Sequence, residues 1–413
     1  MLYLDNAATT PVRPEVLAAM SPYLTRRFGN ASSHHTVGEA SAAALVDARS
    51  RVARVLGMRA GDVVFTSGGT EADNLAVKGI AVAAKLNRSA AHVVTLPIEH
   101  EAILESVAHL ERVHGFTASQ VPVDEHGRVE PTAIEAALRA DTALVSIGYA
   151  NNEVGTVQDV AAIAAVTQKH GIPLHIDAVQ AAGWLPLSGT GADAISIAGH
   201  KIGAPKGTGA LAVRGRIPIE PLLHGGGQQR GRRSGTEDVA GAVALATALE
   251  LADVERAADA AAVSVLRDAF IRRVLASVPQ ARLTGHPVHR LPGTASFTFA
   301  GTSGEAVLLE LERRGVISAS GSACAAGSDA PSHVLVAMGI DPALAQTSVR
   351  FTLPHGWRQS LDATADLVAA SVAAVTGWPA GGRQTPGVMS GGAIHKTPSA
   401  TGTDGVRAPS AGA

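Results

Sequence analysis

Between residues 62 and 213, short apolar runs rich in Val and Ile alternate with Ala-rich amphipathic stretches, and this alternation limits the folds open to the chain. The runs DVVFT (62–66), HVVTLP (92–97), TALVSIG (142–148), IPLHID (172–177), ADAISIA (192–198) and GALAV (209–213) are nearly continuous in apolar character. Strands covered on both faces read this way, whereas a half-exposed strand alternates. Helical periodicity fills 70–86, 100–114 and 159–170. Strand–helix alternation predicts an α/β fold: a mainly parallel central sheet covered by helices.

The texture changes after Gly241. A long Ala-rich helical region (about 239–277) precedes TASFTFA (294–300), a helix near 304–314 and SVRFTL (348–353). These predict a smaller C-terminal α/β domain over 241–378, beside a large domain over 1–240 whose N-terminal segment contributes to the small one. From about Pro379 the chain is dominated by Gly, Pro, Ser, Thr and Ala, too little apolar surface to offset ordering entropy, so 379–413 is read as a disordered tail.

Several function classes are disfavoured. The formal net charge is −2 and no long Lys/Arg run occurs, which argues against direct nucleic-acid binding. No apolar run reaches the roughly 18 residues of a membrane span. The start, MLYLDNAATTP, lacks the basic and apolar regions of a secretory leader, so a soluble cytoplasmic protein is expected. A single cysteine, Cys324, allows no intramolecular disulfide and no zinc cluster, and no His-Glu-x-x-His is present. No metal site is expected; the adjacent His34 and His35 are ordinary loop residues on this reading.

Three motifs carry chemistry in chain order. SGGTEADN (67–74) joins a strand end to a helix start, where free N–H groups around Gly69 and Thr70 suit a phosphate. A Gly-rich helix cap would look the same. HIDAVQAAG (175–183) puts Asp177 at the C-terminal end of a parallel strand, the edge where open α/β sheets bind ligands. A carboxylate there needs a partner, such as a protonated ring nitrogen, or it caps the next helix. SIAGHKIGAPKGTGAL (196–211) sets Lys201 in a Gly-rich loop, and a lysine so placed can form a Schiff base. Phosphate anchor, ring-nitrogen partner and Schiff-base lysine together outline a pyridoxal-phosphate site. Cys324 stands in SASGSACAAGS (318–328), among Ser, Ala and Gly only.

With YLDNAATTP (3–11), FGN (28–30), FTSGGTEADNLAVKG (65–79), EH (99–100), NNEVGTVQD (151–159), DAVQAAG (177–183), GHK (199–201), HGGGQQRGRRSGT (224–236) and SGSAC (320–324), the chain resembles the cysteine desulfurases. These are pyridoxal-phosphate enzymes of the class V aminotransferase group, with the fold type I architecture, and the likeness spans roughly residues 2–375. The SGSAC loop resembles the iron–sulfur-cluster and nitrogenase-type group.

The resemblance implies roles. Lys201 would carry pyridoxal 5'-phosphate covalently, Asp177 would pair with its ring nitrogen, and Gln180 would bond its ring oxygen. His100 would stack on the ring and shuttle protons. Gly69, Thr70 and His200 would hold the phosphate, with Thr236 reaching the phosphate of a second copy in a homodimer. Asn152 would touch cofactor or substrate, and Arg350 would clamp the carboxylate of L-cysteine. Cys324 would be the nucleophile that takes the substrate's sulfur as a persulfide, releases L-alanine, and passes sulfur to acceptor proteins such as an iron–sulfur scaffold or a tRNA-thiolation protein. While handing it on, Cys324 could transiently ligate a cluster on that partner.

Two positions depart from the pattern: Ala198 stands where a phosphate-binding Ser is usual, and Ala31 where Pro follows FGN. The competing readings are a class V aminotransferase or lyase in which Cys324 is incidental, and a sulfur-carrier-binding scaffold without catalysis, against which Lys201 and Asp177 argue.

Overall fold

A computed structural model describes residues 1–321 and 330–377 of the chain. Cys324 and the tail read as disordered lie outside the described residues.

The central sheet has seven strands: β1 (Val63–Thr66), β2 (His92–Thr95), β3 (Thr117–Gln120), β4 (Thr142–Gly148), β5 (Leu174–Asp177), β6 (Ala194–Ala198) and β7 (Gly209–Val213). Their order is β1-β7-β6-β5-β4-β2-β3. Neighbours from β6 through β3 are parallel, and β7 runs against both of its neighbours. The sheet is therefore mainly parallel, as the apolar runs predict. β1, β2, β6 and β7 are buried along their whole length. The strand the sequence did not announce, β3, is TASQ, a partly exposed edge whose pattern carries no apolar run.

Helices cover both faces. The helical stretch expected at 70–86 runs as Gly69–Asn74, a π-turn at Leu75–Gly79 and Ile80–Arg88. Val64, Leu75, Ile80, Ile103 and Leu110 build the core on one face. Val16, Val52, Ile147, Ile176, Ile197 and Leu245 build it on the other. A three-stranded antiparallel sheet follows, with β8 (Ala281–Leu283) and β10 (Ser348–Thr352) flanking β9 (Thr294–Phe299). Its core collects Phe270, Phe297, Phe299 and Phe351, four of the seven phenylalanines, with ring centroids 5.2–6.2 Å apart.

One helix of 39 residues, Val239–Ser277, joins these cores. Ala242 to Ala252 belong to the core of the large sheet, and Val263, Phe270, Ile271 and Val274 to that of the small sheet. The N-terminal segment begins beside the small sheet. Leu2–Tyr3 pairs with Val316–Ile317 in parallel, and Leu4 is buried against the phenylalanines. It then crosses to the large sheet, where the Thr10 N–H donates to His200 O at 2.9 Å.

Candidate active site

In a parallel sheet the C-terminal strand ends all open on one edge, and here a cavity of about 300 Å³ lies there. Five strand ends contribute to it: Gly69 and Thr70 after β1, Glu99 and His100 after β2, Gly148, Ala150, Asn151 and Asn152 at the end of β4, Asp177, Val179 and Gln180 at the end of β5, and Ala198, His200 and Lys201 at the end of β6. Ala7 and Ala8 of the N-terminal segment, Arg350 of β10 and Gly321 complete the wall.

Of the residues singled out in the sequence, Gly69, Thr70, His100, Asn152, Asp177, Gln180, His200, Lys201 and Arg350 all meet in this cavity. Thr236 does not. It is exposed in the segment between β7 and the long helix, and no part of it lines the cavity of its own chain. Cys324 is outside the described residues; Gly321, the last described residue before it, lines the cavity wall.

Lys201 sits in a turn, Gly199–Lys201, directly after β6. Its Nζ donates to Ala7 O at 2.6 Å and Ala8 O at 2.8 Å. Gln180 Nε2 donates to the same Ala7 O at 3.1 Å. His200 lies beside them, with Nδ1 3.2 Å from Thr9 Oγ1. Burial pushes the His200 imidazole down to about 4, and the nearby Lys201 and Lys206 act in the same direction, so it is neutral at physiological pH.

Asp177 ends β5, and its Oδ1 accepts from Val179 N–H at 2.9 Å. It keeps some surface open to the cavity, yet it lies deep enough for burial to dominate and raise its carboxyl. The Val179 N–H, His100 and Lys201 pull the other way. Among the described residues Asp177 forms no ion pair. His100 opens the helix Glu101–His114 as its N-cap, with Nδ1 accepting from Ala102 N–H at 3.0 Å. In the neutral ring the proton then sits on Nε2.

Two further carboxyls line the cavity, and the sequence reading passed over both. Asp73 is 2% exposed; its Oδ1 has no hydrogen-bond partner among the described residues and stands 3.8 Å from His175 Nε2. Burial holds it well above the usual carboxylate range, and Asp177 adds to this. Burial likewise pushes Glu99 up to about 8, with the Gly148 N–H opposing and Asp177 adding. His175, bonded by Ser146 Oγ and Ser196 Oγ at 2.9 Å each, is pushed down to about 3 by burial. Asp73, Glu99 and His175 lie inside quoted motifs (TEADN, EH, HID), so position beside a named residue was the available signal.

Arg350 is 3% exposed, not a surface arginine. Nη2 donates to Asp5 Oδ1 and Nη1 to Asn152 O, both at 2.8 Å. Asn152 thus enters through its backbone. The turn it belongs to is held by Asn151, whose Oδ1 accepts from Glu153 N–H and Val154 N–H. Glu153 in turn accepts from Ser332 Oγ, and a β-carbon on Gly321 would come within 2.7 Å of its Oε2. A glycine at 321 is what lets the chain lie flush against that carboxyl.

His35 caps the helix Thr36–Leu56, its Nδ1 accepting from Gly38 N–H at 3.2 Å, and so has a structural role. Among the described residues no cluster of three or more His, Cys, Asp or Glu is arranged to hold a metal ion. No described helix is long and apolar enough to cross a membrane.

Comparison with known proteins adds the following. A family model described as aminotransferase class-V matches residues 2–360. Cysteine desulfurase IscS of Dictyoglomus turgidum is 42% identical over 370 residues, covering 89% of this chain and 93% of that protein. Among solved structures, a NifS-like protein superposes with a TM-score of 0.82 at 34% identity, covering 90% of this chain and 98% of its own. The structure titled SspA in complex with cysteine gives a TM-score of 0.76 at 34% identity, covering 86% and 99%.

Proposed function

Because this chain belongs to the class V aminotransferase family and is a pyridoxal-phosphate-dependent cysteine desulfurase, we propose a division of labour among its cavity residues: Lys201, Asp177 and His100 serve the cofactor, Arg350 the substrate carboxylate, and Cys324 the sulfur. The substrate is L-cysteine and the carbon product L-alanine. The observation that carries this reading is the convergence of Lys201, Asp177, Arg350 and the root of the Cys324 segment on one cavity.

The residues present fit the cofactor. Asp177 is a largely buried carboxyl that forms no ion pair among the described residues, and a protonated ring nitrogen would give it one. Gly69 packs so tightly that a β-carbon there would meet Val179 Cγ2 at 2.8 Å, which keeps the strand-end turn open for a phosphate beside Thr70 and His200. When bound, pyridoxal phosphate supplies an aldehyde that captures amines and a ring that withdraws electrons from the substrate's α-carbon.

The protein's own residues do the rest. Lys201 would hold the cofactor through its amine and, when that amine is free, would carry protons. Asp177 would pair with the ring nitrogen and hold its proton. His100 offers a proton from Nε2. Arg350 fixes the α-carboxylate by charge-assisted bonds. The Cys324 thiolate attacks the substrate sulfur. The S–S bond forms as the Cβ–S bond breaks, its electron pair goes to the carbon side, and a proton there completes alanine. A persulfide remains on Cys324.

We further assign the enzyme a homodimer in which Thr236 serves the second copy's phosphate site. That it does not line the cavity of its own chain supports this, as do the exposed apolar Leu17, Leu24 and Phe28, which a second copy would bury. We take 1–240 and 241–378 as its two domains, the cytoplasm as its compartment, and iron–sulfur scaffold or tRNA-thiolation proteins as its acceptors. A lone thiol that must stay reduced supports the compartment.

The test is Cys324→Ser with L-cysteine. Sulfide release should vanish while the bound cofactor keeps its visible absorbance. Undiminished release refutes the role of Cys324 and favours a class V enzyme in which it is incidental.

A further inference from the structure

The N-terminal segment is a strap that touches Arg350 and Lys201 of the mechanism, and Gln180 and His200 beside them. Asp5 holds Arg350, Ala7 O holds Lys201 and Gln180, Ala8 O holds Lys201, and Thr9 lies against His200. Tyr3 fixes its course, with the hydroxyl donating to Asp5 O at 2.9 Å and Thr9 O at 3.2 Å. Asn6 Nδ2 donates to Thr352 O at 2.7 Å.

The contact at Arg350 is the informative one. A buried guanidinium must be paired, because an isolated charge in a dry site is costly. Asp5 does this from the strap, at 2.8 Å, with Arg350 4% and Asp5 17% exposed at their side chains. Arg350 lines the cavity, so its guanidinium can meet an incoming carboxylate there, but its Nη2 is already engaged by the Asp5 carboxylate. A ligand carboxylate on Arg350 would share it with Asp5, and two carboxylates on one guanidinium repel strongly where water is excluded.

We propose that Asp5 is a specificity-determining residue that keeps Arg350 aimed while weakening the cavity's hold on the α-carboxylate, so that the amino-acid product leaves readily. The inference rests on the assignment of Arg350 to the substrate carboxylate.

The test uses the cofactor-loaded enzyme and isothermal titration calorimetry. L-Alanine is the probe, since it offers no sulfur for transfer, and L-alaninamide is the control that lacks a carboxylate. Asp5→Asn keeps an acceptor oxygen for Nη2 and removes the charge. It should bind L-alanine about tenfold tighter, as expected for removing one close like charge, and L-alaninamide unchanged. Asp5→Ser should move in the same direction, and serves if Asp5→Asn does not fold. Unchanged or weaker L-alanine binding in the folded variants overturns the proposal. Arg350→Gln separates two failures. If it loses the preference for L-alanine over L-alaninamide while the Asp5 variants behave as wild type, only the role of Asp5 falls. If it keeps that preference, the assignment of Arg350 falls and the proposal with it.

Discussion

Glu99→Gln should make the cofactor-free protein's stability less sensitive to pH, and the size of the effect follows from burial. The carboxyl is pushed from its ordinary 4.5 up to about 8. Below pH 4.5 it is neutral in both the folded and unfolded chain, so it costs nothing. Between 4.5 and 8 only the unfolded chain ionises, and stability falls by as much as 1.36 kcal/mol per pH unit. Up to pH 7 the accumulated loss is about 3 kcal/mol. Gln cannot ionise, keeps an acceptor for the Gly148 N–H, and removes this slope. Between pH 5 and pH 7 the loss is about 2.5 kcal/mol, so at roughly 2 °C per kcal/mol the melting temperature of the variant should gain roughly 5 °C on wild type over that range. Differential scanning calorimetry at pH 5, 6, 7 and 8 measures the two curves. Parallel curves would show that Glu99 is ionised in the folded state, and the reasoning from burial would be wrong.

Lys201→Ala should lose covalent attachment of the cofactor: after borohydride reduction, mass spectrometry should find the cofactor on wild type and none on the variant, and equal labelling would exclude Lys201. Ala198→Ser adds a hydroxyl at the end of β6, in the cavity wall beside Gly69, and should tighten cofactor binding about tenfold, the worth of one hydrogen bond to a charged group; an unchanged absorbance titration would mean that another group already fills that role. Gly321→Ala drives a β-carbon to 2.7 Å from Glu153 Oε2 and should cost about 1–3 kcal/mol and slow sulfide release. A variant with wild-type melting and turnover would show that the wall yields there.

How much was legible beforehand depended on sequence distance. Lys201, Asp177, His100 and Gly69 each follow a strand of the central sheet, so chain order and parallel topology alone predict that they converge. β5 and β6 were legible because buried strands read as apolar runs. The edge strand β3 was not, because TASQ has no face to bury. Pairings across the whole chain were also illegible. Asp5 meets Arg350 across 345 positions, and Glu153 meets Ser332 across 179. No local pattern encodes such meetings; the path of the N-terminal segment across both sheets creates the first, and the tertiary packing of distant segments the second. The same holds for Asp73 and Glu99, whose raised carboxyls come from surroundings and not from their neighbours in sequence.

The 39-residue helix Val239–Ser277 also governs how the molecule comes apart. A rod rooted at both ends cannot release one end without loosening its hold on the other. Damage among the phenylalanines around Phe351 should therefore be felt at Leu245, which packs close to Gly199 at the head of the lysine turn. Amide protons along the middle of that rod should exchange together, at the rate of the whole molecule's collapse.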